Sequence, residues 1–375
     1  LDLSAITGLS GDAGGNSITG GGTVLPFTTA ATQTYTGGTD SWSTAARWTS
    51  RVPLPQDNVL MSGVTGGTIT ADMPRLGKSI DWTGASGSPT WVINSGTLTN
   101  YGSITLISSM TFTANTMTME GRGNFSLTMA GKTFGSSSLN ISMVGGSLTL
   151  QDAFSHTTNA LIINNGTLNT NGFSVSTIAI SSSNTNTRGL TLGASTITCT
   201  QTSGNTWNIG TSTNMTLDAG TSTILLSDTG ASSKTFAGGG LTYNNLSISG
   251  GGAGAVIITG ANSFASIKVS GGTKSITLPG STTTTINDGS GLGNAANVIT
   301  FTASAGSATL SKSTGILGWD YVNLTNIIST GGATFYAGAN STDGGGNTGW
   351  IFAAAPSSGA FGGPTSELLY AQGWA

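Results

Sequence analysis

The chain has 375 residues, only 11 of them basic and 14 acidic, and a formal net charge of −3. Charged residues make up 7% of it, against roughly 25% in an ordinary soluble domain. No basic run supplies the electrostatic term that nucleic-acid binding needs, no stretch of about 18 apolar residues would span a membrane as a helix, and one cysteine, Cys199, excludes an intrachain disulfide framework.

Hydrophobic residues still reach 36%, and 59 glycines punctuate runs rich in Thr, Val and Ile. Branching at Cβ suits a pleated strand. No segment sustains the i, i+3, i+4 spacing of a helix, so an all-β protein with almost no helix is expected. Cys199 lies in Thr196–Thr200 on the same face as Ile197 and reads as a small buried side chain.

In chain order, residues 1–30 are Gly/Ser/Thr-rich and read as an extended arm or linker. Residues 31–90 carry eight of the charges and, with Trp91, a cluster of four tryptophans. They read as a capping and docking β module, because a solenoid end exposes strand edges that something must cover.

Residues 91–330 hold short alternating strands separated by Gly, Asn and Ser. Leu106, Leu127, Leu148 and Leu168 recur 21, 21 and 20 residues apart, and the phrase Trp91–Leu98 returns as Leu161–Leu168. This beat predicts a parallel β-solenoid of about eleven coils of about 21 residues, with the four leucines stacked inside and outward Asn laddered along the axis. It weakens after about residue 190, where longer or irregular coils are expected. A two-sheet sandwich is the competing arrangement. Residues 331–352 read as a closing module and 353–375 as an Ala/Ser/Gly/Pro-rich tail.

Candidate chemistry is sparse. Glycoside hydrolysis needs two carboxylates close together, and the body offers Glu120, Asp152, Asp218, Asp228, Asp288 and Asp320 at spacings that do not follow the coil. Solvated turn carboxylates are the expectation. His156, the lone histidine, reads as a surface residue and excludes multi-histidine metal sites. Asn340, Asp343 and Asn347 crowd a Gly-rich loop and are a weak Ca²⁺ candidate with one carboxylate among them. Trp42, Trp48, Trp82 and Trp91 read first as packing of the cap. Trp42, Arg47, Trp48, Arg51 and Trp82 are also the candidates for a docking surface, since Trp and Arg dominate interface hot spots.

Two segments resemble a known family. Thr334–Gly338, Ser341–Gly345 and Gly349–Phe352, preceded by Trp319–Leu324, resemble a recurrent ending of tailed-phage virion β-helix proteins, with similar modules in secreted bacterial surface proteins. Tyr35–Trp42, Arg47-Trp48 and Val52–Val59 resemble the opening module of such chains. The resemblance implies a virion or cell-surface β-rod and no particular activity; together with the sparse carboxylates it leads to the expectation of a non-enzymatic structural protein at the virion surface, a spike, fibre or decoration protein that binds no cofactor. Its expected partners are its own copies in a homo-oligomer such as a trimer, other virion proteins, and host surface glycans. Neither nucleic acid nor membrane is an expected partner. The alternatives are a secreted bacterial adhesin or extracellular filament subunit, and a polysaccharide depolymerase tailspike.

Overall fold

The computed structural model describes residues 28–356, apart from 94, 95, 136, 137, 251, 271, 273, 290 and 291. The arm and the tail therefore lie largely outside the described residues. The protein is an all-β, parallel β-solenoid of about 14 turns with a spacing of about 22 residues. The only helical element among the described residues is the 3₁₀ turn Ala45–Arg47.

As far as Asp218, each full turn visits three walls. The first wall runs through Arg75–Gly77, Leu98–Asn100 and Met117–Met119 and carries Leu98, Met117, Leu139, Leu161, Ile180, Trp207 and Phe236 in one inward column. The second begins with Thr32–Gly37 and Asn58–Val64 and ends at Met215–Asp218. The long strands Leu139–Leu150 and Leu161–Asn169 bend from the first wall into the second, which joins both into one 20-stranded sheet. The third wall is a four-stranded sheet at the N-terminal end and a nine-stranded one beyond it. Near the C-terminus a new three-stranded wall appears, Ile316–Gly318, Thr334–Tyr336 and Trp350–Ile351.

The four leucines of the beat are all buried, at 2% exposure or less. Their register differs from a single column. Leu148, Leu168, Leu190 and Leu217 pair in succession. Leu127 pairs with Ile104 and Leu150 instead, and Leu106 follows them two residues on. An even offset keeps every side chain on the same face of a strand, so a two-residue slip leaves the core intact. The beat fades after 190 for a topological reason. The leucine-bearing second wall runs through one 27-residue step, Leu190 to Leu217, and then ends.

The 70-residue echo is not a stack: Thr90–Ile93 belongs to the third wall, whereas Leu161–Asn169 crosses the first two. Outward asparagines bond to serines of the next turn and not to one another in those pairs. Ser147 Oγ donates to Asn124 Oδ1 at 2.8 Å, and Ser266 Oγ to Asn245 Oδ1 at 2.7 Å.

The ladders pass residue 90 without a break, so the strands of residues 31–90 are the first rungs of the same rod. Within it, Tyr35, Trp48, Trp42, Trp91 and Trp82 form a chain of ring contacts with centroids 4.9–6.2 Å apart, which continues through Phe112 and Phe134. Aromatic side chains bury the largest areas per residue, and here they fill the solenoid where its walls begin.

Candidate functional site

Between the first and second walls the chain bends, outside any strand at Lys78, Tyr101 and Glu120 and within the long strand Leu139–Leu150 in the following turn. Register fixes what stands there. Gly77, Asn100, Met119 and Ile141 pair in succession on the first wall. One residue further along each turn come Lys78, Tyr101, Glu120 and Ser142, on four consecutive rungs of about 4.8 Å.

These residues line an open groove of about 1060 Å³ that also includes Arg122, Phe125 and the exposed Val144, with Ala30, Pro55 and Gln56 at its N-terminal end. Phe125 lies over a glycine floor. A Cβ on Gly121 would fall on the Phe125 ring and on the Tyr101 carbonyl oxygen, and one on Gly123 would stand 3.0 Å from Phe125 Cζ. Only glycine lets the ring lie down against the bend.

Lys78, Glu120 and Arg122 are exposed, and Tyr101 and Phe125 half-buried. The three ion pairs among the described residues lie elsewhere, so these charged groups face the groove unpaired by one another. On a rod with so few charges, two cations, one carboxylate and two aromatic rings along one corner form a distinct chemical surface.

The docking candidates from the sequence do not form such a surface. Trp42 and Trp82 are fully buried and Trp48 nearly so, and all three rings pack the core. Arg47 and Arg51 are partly exposed and already engaged. Arg47 Nε donates to Asp40 at 2.8 Å, and Arg51 Nη2 to Asp57 at 2.7 Å. Asp57 is buried and also accepts from the backbone N–H groups of Ala31 and Leu54, so the Pro53–Asp57 phrase is a self-capped turn.

The carboxylates are dispersed. Asp152 accepts from the backbone N–H groups of Met129 and Ala130 at 2.7 and 2.5 Å, at a turn away from the groove. Asp228 pairs with Lys234 at 2.5 Å inside the rod. Asp218 and Asp288 are exposed, and Asp320 accepts from the backbone and side-chain N–H groups of Asn340, which hold its carboxyl below the usual range despite partial desolvation. Glu120 is the one carboxylate lining the groove.

The Ca²⁺ candidates do not converge either. Asn340 points to Asp320, and Asn347 donates to Asp343 at 2.6 Å while its Oδ1 accepts from Ile327 N–H at 2.9 Å. Among the described residues no three His, Cys, Asp or Glu side chains gather as a metal site. His156 is a correction to the surface reading: it is fully buried, with Phe134 and Phe154 rings 5.9 and 6.4 Å away. Cys199 is buried beside Ile197 on one face, and burial pushes its thiol up to about 12.

Three buried cations were not foreseen. Arg188 and Lys234 fill bends of their own turns, and Lys274 reaches back to the turn before it. Arg188 donates to the carbonyls of Ser182, Asn184, Asn186, Thr211 and Thr213. Lys234 donates to Gly230 and Ser232 carbonyls, and Lys274 to that of Gly252. Bends turn some carbonyls inward, and a buried carbonyl needs a donor.

Compared with protein-family models, curated proteins and solved structures, the chain matches none.

Proposed function

We propose that this protein is a non-enzymatic structural rod of a virion surface, a spike, fibre or decoration protein, that engages host surface glycans through the corner groove. The observation that carries the glycan reading is the groove itself, where Tyr101 and Phe125 offer ring faces and Lys78, Glu120 and Arg122 offer uncommitted polar groups. Concave sites with aromatic walls and a few placed polar groups are the usual form of small-molecule and saccharide sites. A groove running along the rod suits a linear chain. Several copies in a homo-oligomer would convert weak contacts into avidity. A single lining carboxylate favours binding over hydrolysis, which ordinarily uses two.

What supports the virion placement is the resemblance of the opening and closing phrases. Finding the chain in purified virions by mass spectrometry would uphold it, and finding it only among secreted bacterial filaments would replace it with the adhesin reading.

The test of binding is retention on host surface glycans of the full chain and of a Tyr101→Ala/Phe125→Ala variant. The expected result is binding that the double variant loses, with no new reducing ends. Equal binding by both removes the groove from the reading. Release of reducing ends or unsaturated sugars makes the protein a depolymerase.

A further inference from the structure

The charges of the groove say which glycan it would take, an inference that rests on the glycan reading above. Lys78 and the Glu120–Arg122 bend lie two rungs apart, about 10 Å along the axis, with the Tyr101 ring on the rung between them. Lys78 and Arg122 outnumber Glu120, so this corner is net positive on a chain that is net negative. None of the three is an ion-pair partner of another described residue.

We infer that the groove selects an acidic glycan, one whose sugar carboxylates recur at about every second residue, with a carboxylate at Lys78, a sugar ring on Tyr101, and the next carboxylate at Arg122. The planar guanidinium of Arg122 matches a carboxylate with two parallel hydrogen bonds. Tyr101, on the rung between the two cations, offers a ring face and no cation, so a neutral sugar suits that position and an anion there would meet no complementary charge. Glu120 shares its rung with Arg122 and weakens that subsite for any anion. A uronic-acid polymer with neutral sugars between its acids fits this order, whereas a polyphosphate does not. The aromatic rings hold the sugar faces, and the charges set which sugars bear the acids.

The experiment immobilises host capsular and lipopolysaccharide glycans, acidic and neutral, each acidic one also in its carboxyl-reduced form. The full-length protein, Lys78→Ala, Arg122→Ala and Glu120→Gln are compared. These side chains are exposed, so the variants keep the fold. The expected result is binding to acidic glycans that falls at least about ten-fold on carboxyl reduction. Each cation removed costs roughly two- to five-fold, the scale of an exposed ion pair. Glu120→Gln gains a similar factor, an increase that loss of a structural contact would not produce. Equal binding of neutral or carboxyl-reduced glycans overturns the inference and leaves the groove reading standing. Absence of binding to every glycan overturns both.

Discussion

Replacing Arg188 by Leu is expected to be the most damaging single change in the middle of the rod. Arg188 is 1% exposed, and its guanidinium meets five backbone carbonyls, three from its own turn and two from the next. Burial lowers its pKa from the ordinary value, yet a guanidinium stays protonated in proteins. A buried ion pair can sometimes be exchanged for apolar side chains because both partners leave together. Here the partners are backbone and cannot leave. Leu would fill the volume and abandon the acceptors, each a loss of about 1–3 kcal/mol if all else were fixed. Relaxation makes such terms less than additive, so the expected cost is about 3–5 kcal/mol. Lys keeps the charge with three donors in place of five and is expected to recover about half. Solenoids open locally by neighbouring repeats, so the assay is amide hydrogen exchange over residues 180–217. Protection there should fall roughly a hundred- to several-thousand-fold for Arg188→Leu, with the N-terminal turns little changed. Protection within about five-fold of the parent would refute the view that the cation satisfies the bend.

Gly121→Ala would set a methyl against the Phe125 ring and the Tyr101 carbonyl; a loss of about 1–3 kcal/mol by denaturant unfolding is expected, together with weaker glycan retention as the ring lifts. Asp40 is held down to about 2, from an ordinary 3.8, chiefly by the Arg47 side chain and then by Thr44 and the Ser41 N–H. A depressed carboxyl stabilises above its unfolded pKa and loses that contribution as pH falls through the folded value, so the Arg47–Asp40 contribution should be full above about pH 4 and fade towards pH 2. NMR titration of the Asp40 carboxyl checks this, and a midpoint near 4 would contradict it. Cys199, with its thiol pushed up to about 12 by burial, should resist thiol reagents at neutral pH until the rod is unfolded; prompt labelling of native protein would show that the third wall opens.

Strand alternation made the solenoid legible from the sequence, because inward Leu, Ile and Val must recur wherever a rung passes the core. Coil number and register were less legible. The leucine beat counted same-face residues without distinguishing Leu106 from Ile104, and nothing in it announced that the second wall stops at Asp218. The tryptophans near the N-terminus were prominent by type, yet Trp42 and Trp82 serve the core. The groove residues were inconspicuous because they are far apart in the chain. Their signal was the spacing of Lys78, Tyr101 and Arg122, 23 and 21 residues apart, close to the coil length. Arg188, Lys234 and Lys274 carried no comparable signal, since an isolated cation beside Ser, Asn and Gly looks like solvated surface until the bend's carbonyls are seen to face inward.

Hydroxyl-radical footprinting of the full chain with and without host surface glycan tests the central claim most directly. Bound glycan should reduce oxidation of Tyr101, Phe125 and Val144 in the groove, while Ile316 and Ile351, exposed outside it, stay as reactive as before. Protection of Ile316 and Ile351 with Tyr101 and Phe125 unchanged would place the binding surface elsewhere and contradict the account.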